Sequence, residues 1–192
     1  MLQKWMEDYM SDYKKAVENI PLDSVYKLIE RFARANTERK QIFVFGNGGS
    51  AANASHFVND MAKSASDVLP DRFKCLSLNE NMSLITAISN DYAYKDIFRR
   101  QIENFANKDD LLLTLSVSGD SPNLVEAVDW ANKNGLHTIA LLGGKRGRLA
   151  DLARESIVVD SIHYGHVEDI HMLICHMIIY AFMENPGIVS SN

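Results

Sequence analysis

The chain is short of cysteine and of positive charge, and each shortage excludes a class of protein. Its 192 residues include only two cysteines, Cys75 and Cys175, both in apolar surroundings. We therefore expect buried thiols in a reducing cytoplasm rather than a disulfide framework. The formal net charge of −5 gives no basic excess for nucleic-acid binding.

The sequence also lacks a long hydrophobic run. Its most apolar stretch, 172–183, contains His176 and is too short to span a bilayer. The first eight residues, MLQKWMED, are too acidic and too interrupted for a signal peptide. A cytoplasmic protein that binds neither membrane nor nucleic acid is expected.

Apolar periodicity predicts one domain over 1–192. Residues 1–38 form a helical extension of two amphipathic helices, 39–184 form an α/β core, and 185–192 form a frayed tail. Strands are predicted near 41–45, 73–78, 111–115, 137–142 and 156–159. Helices are predicted near 49–66, 81–89, 93–106, 121–134, 147–154 and 166–183. This alternation predicts a three-layer αβα sandwich with a five-stranded parallel sheet, preceded by two N-terminal helices.

Two glycine- and serine-rich loops follow predicted strands. The first is Gly-Asn-Gly-Gly-Ser at 46–50, where N–H groups at a helix start can donate hydrogen bonds to a phosphate. The second runs from Ser116 to Ser121 and adds hydroxyl groups, although Ser121 can also serve as a helix cap. Because a carboxylate repels phosphate, either Asp120 points outward or this loop binds a less charged group. The ends of parallel strands are where ligands bind in such sheets, so we expect one anion site there.

Two helices carry histidine and acid at helical spacing. His56 and Asp60 are four residues apart and share a face. Glu168 and His176 are eight apart on the last helix. Such a set can share a proton or bind zinc. The histidines with no such partner are expected to be structural; these are His163, His166 and His171.

Few parts are needed to isomerise an aldose and a ketose. A base removes the proton beside the carbonyl, an acid or metal stabilises the enediolate oxygen, and a group moves protons between the two oxygens. A bound phosphate supplies the binding energy that positions the reacting carbons. The predicted loops, carboxylates and histidines match these requirements.

The segment from Phe45 to Phe57, FGNGGSAANASHF, resembles the signature of sugar-isomerase (SIS) domains, in the sedoheptulose-7-phosphate isomerase branch. The segment 84–92, the second loop and the last helix support the resemblance, which covers nearly the whole chain. It implies interconversion of sedoheptulose 7-phosphate and glycero-manno-heptose 7-phosphate for surface glycans. It also implies a homotetramer with shared active sites and one zinc ion per subunit.

The resemblance further implies roles for individual residues. Asp60 and His176 correspond to catalytic groups, and the zinc ligands correspond to His56, Asp60, Glu168 and His176. The substrate-binding residues correspond to Asn47, Gly48, Gly49, Ser50, Asp60, Asn90, Asp91, Ser116, Val117, Ser118, Ser121 and Glu168.

The chain departs from the family pattern near the sugar. Asp60 replaces a glutamate, Glu168 replaces a glutamine, and Ser64 lies where an arginine is expected. The segment 163–167 is about three residues shorter than usual by this comparison. Alternatives therefore stay open: an isomerase for a different sugar phosphate, a sugar-phosphate sensor, or a non-catalytic SIS adaptor that binds a replication-initiation protein.

Overall fold

The structure, a computed structural model, describes residues 1–190. Its strands are β1 (Gln41–Gly46), β2 (Lys74–Ser77), β3 (Leu111–Ser116), β4 (His137–Leu142) and β5 (Glu155–Val158). Its helices are α1 (Leu2–Glu18), α2 (Leu22–Thr37), α3 (Gly49–Asp60), α4 (Met82–Asp91), α5 (Arg99–Phe105), α6 (Pro122–Lys133), α7 (Leu149–Leu152) and α8 (Tyr164–Glu184). A π-helical turn, Met61–Ala65, continues α3, and 3₁₀ turns cover Tyr94–Asp96 and Pro186–Ser190.

The strands form one parallel sheet in the order β2-β1-β3-β4-β5. This confirms the predicted three-layer α/β fold with two helices ahead of the sheet. The chain leaves β1 toward one edge and returns to β3 on its other side, so the order reverses between these strands. Gly46 at the end of β1 pairs in register with Leu115 of β3. Both loops predicted to bind an anion therefore begin side by side.

Alternating side chains of each strand face two separate cores, as the pleat of a strand requires. Ile42 and Val44 of β1 join a cluster with α2, α3 and α8, whereas Phe43 and Phe45 join a cluster with α5 and α6. Both faces of the sheet are therefore covered, which explains the nearly continuous apolar run of β3.

Three local expectations differ from the structure. The predicted helix 93–106 is divided into the 3₁₀ turn Tyr94–Asp96 and α5. The predicted helix 49–66 changes to π-helical geometry at Met61, where the Ser66 hydroxyl donates to the Met61 carbonyl at 2.7 Å. The tail predicted to fray over 185–192 instead forms the 3₁₀ turn Pro186–Ser190, because Val189 is buried and its carbonyl accepts a hydrogen bond from Thr37. Residues 191 and 192 lie outside the described part of the chain.

Among the described residues, no helix has both the length and the apolar character needed to cross a membrane. Cys75 and Cys175 are both free thiols; Cys175 is buried, as predicted, whereas Cys75 is only partly buried. Burial raises the pKa of the Cys175 thiol to about 12, so it stays protonated and unreactive near neutral pH.

Candidate active site

The first loop carries the chain from β1 into α3. Gly48 has φ +56°, a left-handed conformation that favours glycine. The amides of Ala51 and Ala52 donate to the carbonyls of Asn47 and Gly48 and so begin the helical ladder. The N–H groups of residues 48–50 precede this ladder, and they are the ones that would donate hydrogen bonds to an anion at the helix start.

The second loop lies directly beside the first, after β3. The Ser116 hydroxyl accepts the Gly119 amide at 3.0 Å and shapes the turn. Ser121 precedes α6 but makes no capping hydrogen bond through its side chain, so its hydroxyl remains for a ligand. Asp120 turns outward, as predicted, and accepts a hydrogen bond from Arg148 Nε at 2.5 Å. This contact lowers the pKa of the exposed Asp120 carboxyl, so the group remains charged without facing the loop.

The two loops enclose a cavity of about 390 Å³. Its walls come from the ends of β1 and β3 and from the start of α8. The lining residues are Asn47, Gly48, Gly49, Ser50, Leu115, Ser116, Val117, Ser118, Ser121, Leu124, Tyr164 and Glu168. Nine of the twelve predicted substrate-binding residues are therefore brought together, Glu168 among them from a distant part of the chain, whereas Asp60, Asn90 and Asp91 are not in the lining.

A pair of amide side chains ties the two loops together, and sequence reasoning missed it. Asn47 Nδ2 donates to Asn123 Oδ1 at 3.0 Å, and Asn123 Nδ2 donates back to Asn47 Oδ1 at 2.8 Å. The Tyr94 hydroxyl donates to the same Asn47 oxygen at 3.4 Å. Asn47 is therefore partly engaged in holding the cavity's shape. No local sequence signal marks Asn123, because its partner lies 76 residues away.

Asn79, also missed, fixes the end of β1. Its side chain exchanges two hydrogen bonds with the backbone of Gly46, at 2.9 Å and 3.2 Å. It lies two residues after the end of β2, and that position after a strand is the only signal that the sequence offered.

The Glu168 side chain can enter the cavity because Gly49 has no side chain. A Cβ atom placed on Gly49 would collide with the Glu168 carboxylate. The Glu168 backbone is anchored to α3, because Asn53 Nδ2 donates to its carbonyl at 2.8 Å. The carboxylate thus lies at the first turn of α3, beside the N–H groups predicted to bind an anion.

A second cluster joins α3 to α8. His56 Nε2 lies 3.1 Å from Asp60 Oδ2, and His176 Nε2 lies 4.0 Å from the same oxygen. The two imidazole rings are 5.2 Å apart and nearly perpendicular. One ligand atom from each of the three residues lies within 4.8 Å of the others. The spacing predicted from the sequence therefore does bring these three side chains together.

Glu168 was expected as a fourth metal ligand, but the structure does not bring it to this cluster. Eight residues of α8 separate it from His176, a rise of about 12 Å along a helix. Its carboxylate lies against Gly49 instead. The helical spacing was compatible with a common face, whereas the packing of α3 directs Glu168 into the cavity.

Asn90 and Asp91, also predicted to bind substrate, lie outside the cavity lining. Both are exposed at the end of α4, and Asn90 Nδ2 donates to Asp91 Oδ1 at 2.9 Å. Their role in substrate binding stays a prediction.

The remaining histidines of α8 have structural surroundings. His166 is buried against the Tyr9 ring at 4.2 Å and stacks on His163 at 4.4 Å. Burial lowers the pKa of His166 and lowers that of His171 to about 4, so both are neutral near pH 7. This agrees with the structural role predicted for these residues.

A larger groove of about 770 Å³ lies between α2 and β5. It is lined partly by charges that already pair, such as Arg31 and Glu155 at 2.9 Å. It contains neither strand-end loop, so the smaller cavity between the loops is the candidate active site.

Comparison with known proteins places these features in context. The sequence profile described as "SIS domain" matches residues 6–143. A probable phosphoheptose isomerase of Thermoplasma acidophilum is 35% identical over 172 residues, which cover 88% of this chain and 93% of that protein. A phosphoheptose isomerase of Helicobacter pylori strain P12 is 31% identical over 188 residues, covering 93% and 92%.

Solved structures show the same similarity in three dimensions. A phosphoheptose isomerase from Francisella tularensis superimposes with a TM-score of 0.88 at 25% identity, covering 96% of this chain and all of the other. One from Neisseria gonorrhoeae gives a TM-score of 0.84 at 26% identity over the same shares of the two chains. These two sequence relatives and two solved structures all carry phosphoheptose isomerase in their names.

Proposed function

We propose that this chain, which belongs to the SIS domain family and is a phosphosugar isomerase, interconverts sedoheptulose 7-phosphate and glycero-manno-heptose 7-phosphate. The observation that carries the proposal is the cavity in which both strand-end loops converge with a carboxylate. The relatives named phosphoheptose isomerase cover nearly its full length.

The two loops supply hydrogen-bond donors for the phosphate group of the proposed substrate. Helix-start N–H groups of the first loop and the hydroxyls of Ser116, Ser118 and Ser121 offer donors without a lysine or arginine in the lining. Holding the phosphate fixes the far end of the substrate, so that binding energy positions the carbons that react. A cavity of about 390 Å³ is large enough for a sugar phosphate of this size.

Isomerisation moves one carbon-bound proton and one hydroxyl proton between neighbouring positions. It needs a carboxylate base near the carbons and a group that stabilises negative charge on the oxygen. One carboxylate, that of Glu168, lines the cavity, and a second, that of Asp60, lies beside His176 in the cluster between α3 and α8. The site thus contains the groups that the reaction requires.

The cluster of His56, Asp60 and His176 fits a zinc ion by its donor set. Two imidazole nitrogens and a carboxylate oxygen are ligands that zinc accepts, and a catalytic zinc site commonly uses three protein ligands. We propose that these residues hold one zinc ion per subunit. Such an ion would polarise a substrate oxygen.

We further propose that the active enzyme is a homotetramer with shared sites. The exposed apolar residues of α1, namely Leu2, Trp5, Met6 and Met10, leave one face of this helix unburied in a single chain. Covering them by other subunits would remove that surface from water. A cytoplasmic location fits the two free thiols.

The direct test is an isomerase assay on the purified full chain. Sedoheptulose 7-phosphate, fructose 6-phosphate and ribulose 5-phosphate would each be tested with added zinc and after chelation. We expect turnover of the heptulose, and we expect His176→Ala to lose it while keeping its thermal transition. Turnover of only another ketose phosphate would keep the reaction class and change the substrate.

Failure to convert any sugar phosphate, with or without zinc, would reject the enzymatic proposal. The matched control for His176→Ala is His163→Ala, which removes an exposed histidine outside the cavity lining. It should leave turnover unchanged.

A further inference from the structure

The amide side chain of Asn47 is held at both of its polar atoms. Its Nδ2 donates to Asn123 Oδ1 at 3.0 Å, and its Oδ1 accepts a hydrogen bond from Asn123 Nδ2 at 2.8 Å. The Tyr94 hydroxyl donates to the same Oδ1 at 3.4 Å. Asn47 is half-buried and lines the cavity between the two loops, so the part of its amide that these contacts leave open is available to a ligand there.

Asn123 itself is fixed in one orientation. It is the second residue of α6, and only 2% of its surface is exposed. The Leu124 amide, which also donates to the Ser121 carbonyl, donates to Asn123 Oδ1 at 3.1 Å. Because a backbone N–H can donate only to an acceptor, the atom that receives this bond is the amide oxygen. The atom of Asn123 that is turned to Asn47 Oδ1 is therefore the nitrogen, a donor.

This orientation determines which atom Asn47 can offer to a substrate. An amide oxygen has two lone pairs, and Asn47 Oδ1 already accepts from Asn123 Nδ2 and from the Tyr94 hydroxyl. An amide nitrogen carries two N–H groups, of which Asn123 Oδ1 takes one. The group that remains is an N–H donor, so its partner must be an oxygen with a free lone pair. The phosphate, hydroxyl and carbonyl oxygens of a sugar phosphate meet this requirement.

We propose that Asn123 is a positioning residue that fixes the orientation of the Asn47 amide, so that Asn47 donates a hydrogen bond to an oxygen of the substrate. This rests on the proposed isomerase function. Asn123 is outside the described lining of the cavity, so it acts through Asn47 rather than by touching the substrate. A donor that is already oriented loses little conformational freedom when the substrate binds. The described lining contains no lysine or arginine, so neutral donors of this kind carry the recognition of oxygen.

Two substitutions of Asn123 disturb this orientation to different degrees. Aspartate has nearly the same shape but no N–H, so Asn123→Asp would place a carboxylate oxygen against Asn47 Oδ1 and repel it. The Asn47 amide would then leave the orientation in which its free N–H faces the cavity. Asn123→Ala removes the partner without adding a repulsion, so Asn47 still reaches the productive orientation for part of the time. A positioning role therefore predicts a larger loss for the acid than for alanine.

The test is a double-mutant cycle on the purified full chain. Wild type, Asn123→Ala, Asn47→Ala and the double variant Asn47→Ala/Asn123→Ala would be compared with Asn123→Asp by kcat/KM for sedoheptulose 7-phosphate and by thermal unfolding. Binding of inorganic phosphate would be measured by calorimetry. Asn36→Asp is the matched control for Asn123→Asp, because Asn36 is also a buried helical amide. Its Nδ2 donates to the Asp71 carbonyl at 2.9 Å, and it is outside the described cavity lining.

We expect Asn123→Asp and Asn47→Ala each to lower kcat/KM by about 10–100-fold, the scale of one lost hydrogen bond to a charged group. Asn123→Ala should lower it by about 3–10-fold. The double variant should be no worse than Asn47→Ala, because Asn123 acts only through that residue. Asn36→Asp should lower the thermal transition without changing kcat/KM. Weaker phosphate binding by Asn123→Asp would identify the partner of Asn47 as a phosphate oxygen, and unchanged phosphate binding would identify it as an oxygen of the sugar.

Three outcomes would overturn the proposal. A wild-type kcat/KM in Asn123→Ala and Asn123→Asp would show that Asn47 needs no positioning. A double variant whose loss is the product of the two single losses would show that the two residues act independently. A loss of kcat/KM in Asn36→Asp equal to that in Asn123→Asp would indicate a general effect of a buried acid. In each case a wild type that still isomerises leaves the proposed function standing, whereas an inactive wild type rejects the function itself.

Discussion

At the scale of single residues, Gly49 and Gly119 differ in what a side chain added at each position would meet. Gly49 faces the end of a flexible side chain, the Glu168 carboxylate. Gly119 has φ +68° and faces the backbone carbonyl of Arg146, which cannot move without its loop. The same substitution should therefore have different consequences at the two positions.

We predict that Gly49→Ala folds normally but loses activity. The added methyl group would displace the Glu168 carboxylate by rotation of its side chain, which costs little stability. Gly119→Ala, by contrast, should destabilise the protein by about 3 kcal/mol, because the left-handed conformation and the backbone collision act together.

Thermal unfolding and turnover of the two variants would check this pair of expectations. A strongly destabilised Gly49→Ala, or a Gly49→Ala with full activity, would contradict the placement of Glu168 against α3.

His171 should make the stability of the protein depend on pH. Burial lowers its pKa to about 4, neither ring nitrogen makes a hydrogen bond of standard geometry within the described residues, and the Leu142 carbonyl opposes the shift only in part. In the unfolded chain the imidazole regains its ordinary pKa of about 6.5. Between these values the unfolded state binds more protons, so this contribution is complete above pH 6.5 and is lost as the pH falls toward 4.

The loss in the free energy of unfolding amounts to about 3 kcal/mol. We predict that His171→Leu, which removes the buried polar atoms at similar volume, loses correspondingly less stability than wild type between pH 7.5 and 4.5. Denaturant unfolding at both pH values measures this difference. Parallel losses in the two proteins would show that His171 does not carry the dependence.

At the scale of elements, the junction between α3 and β2 depends on one hydroxyl. Ser66 is buried, donates to the Met61 carbonyl at 2.7 Å and accepts the Phe73 amide at 2.9 Å. It thereby closes the π-helical turn that directly follows Asp60. A turn with one extra residue was not visible in the apolar pattern, which predicted a continuous helix.

We predict that Ser66→Ala destabilises the protein by about 1–3 kcal/mol, because the buried Phe73 amide loses its acceptor. Ser83→Ala, at an exposed position of α4, should change stability by less than about 0.5 kcal/mol. Urea unfolding of both variants provides the comparison. Equal effects would mean that the buried hydroxyl is replaced by another acceptor.

At the scale of the whole molecule, the strand order places the site. Because the order reverses between β1 and β3, the two loops leave the sheet on diverging paths and leave a crevice between them. The exposed apolar face of α1 lies outside this crevice and is the surface on which the proposed assembly depends.

We predict that sedimentation velocity finds a tetramer of the 21.6 kDa chain and that Trp5→Glu shifts it toward smaller species. A charge in a buried apolar contact would be poorly solvated. Ser11→Glu adds the same charge at another exposed position of α1 and should leave the tetramer intact. A wild type that sediments as a monomer at micromolar concentration would reject the assembly.

The amino-acid order by itself determined the alternation of strands and helices, the positions of the two glycine- and serine-rich loops and the pairing of His56 with Asp60. These are local properties, set by apolar period, glycine position and helical spacing. Their outcome was predictable because each depends on residues a few positions apart.

Only the tertiary structure decided which carboxylate faces the cavity and which residues hold the loops in place. Glu168 was compatible with the histidine cluster by spacing along α8, yet the packing of α8 on α3 points it at Gly49. Asn47 and Asn123 pair across 76 residues, a separation over which no sequence period operates. Contacts between distant segments depend on how the elements pack in three dimensions, and the pattern along one chain does not contain that information.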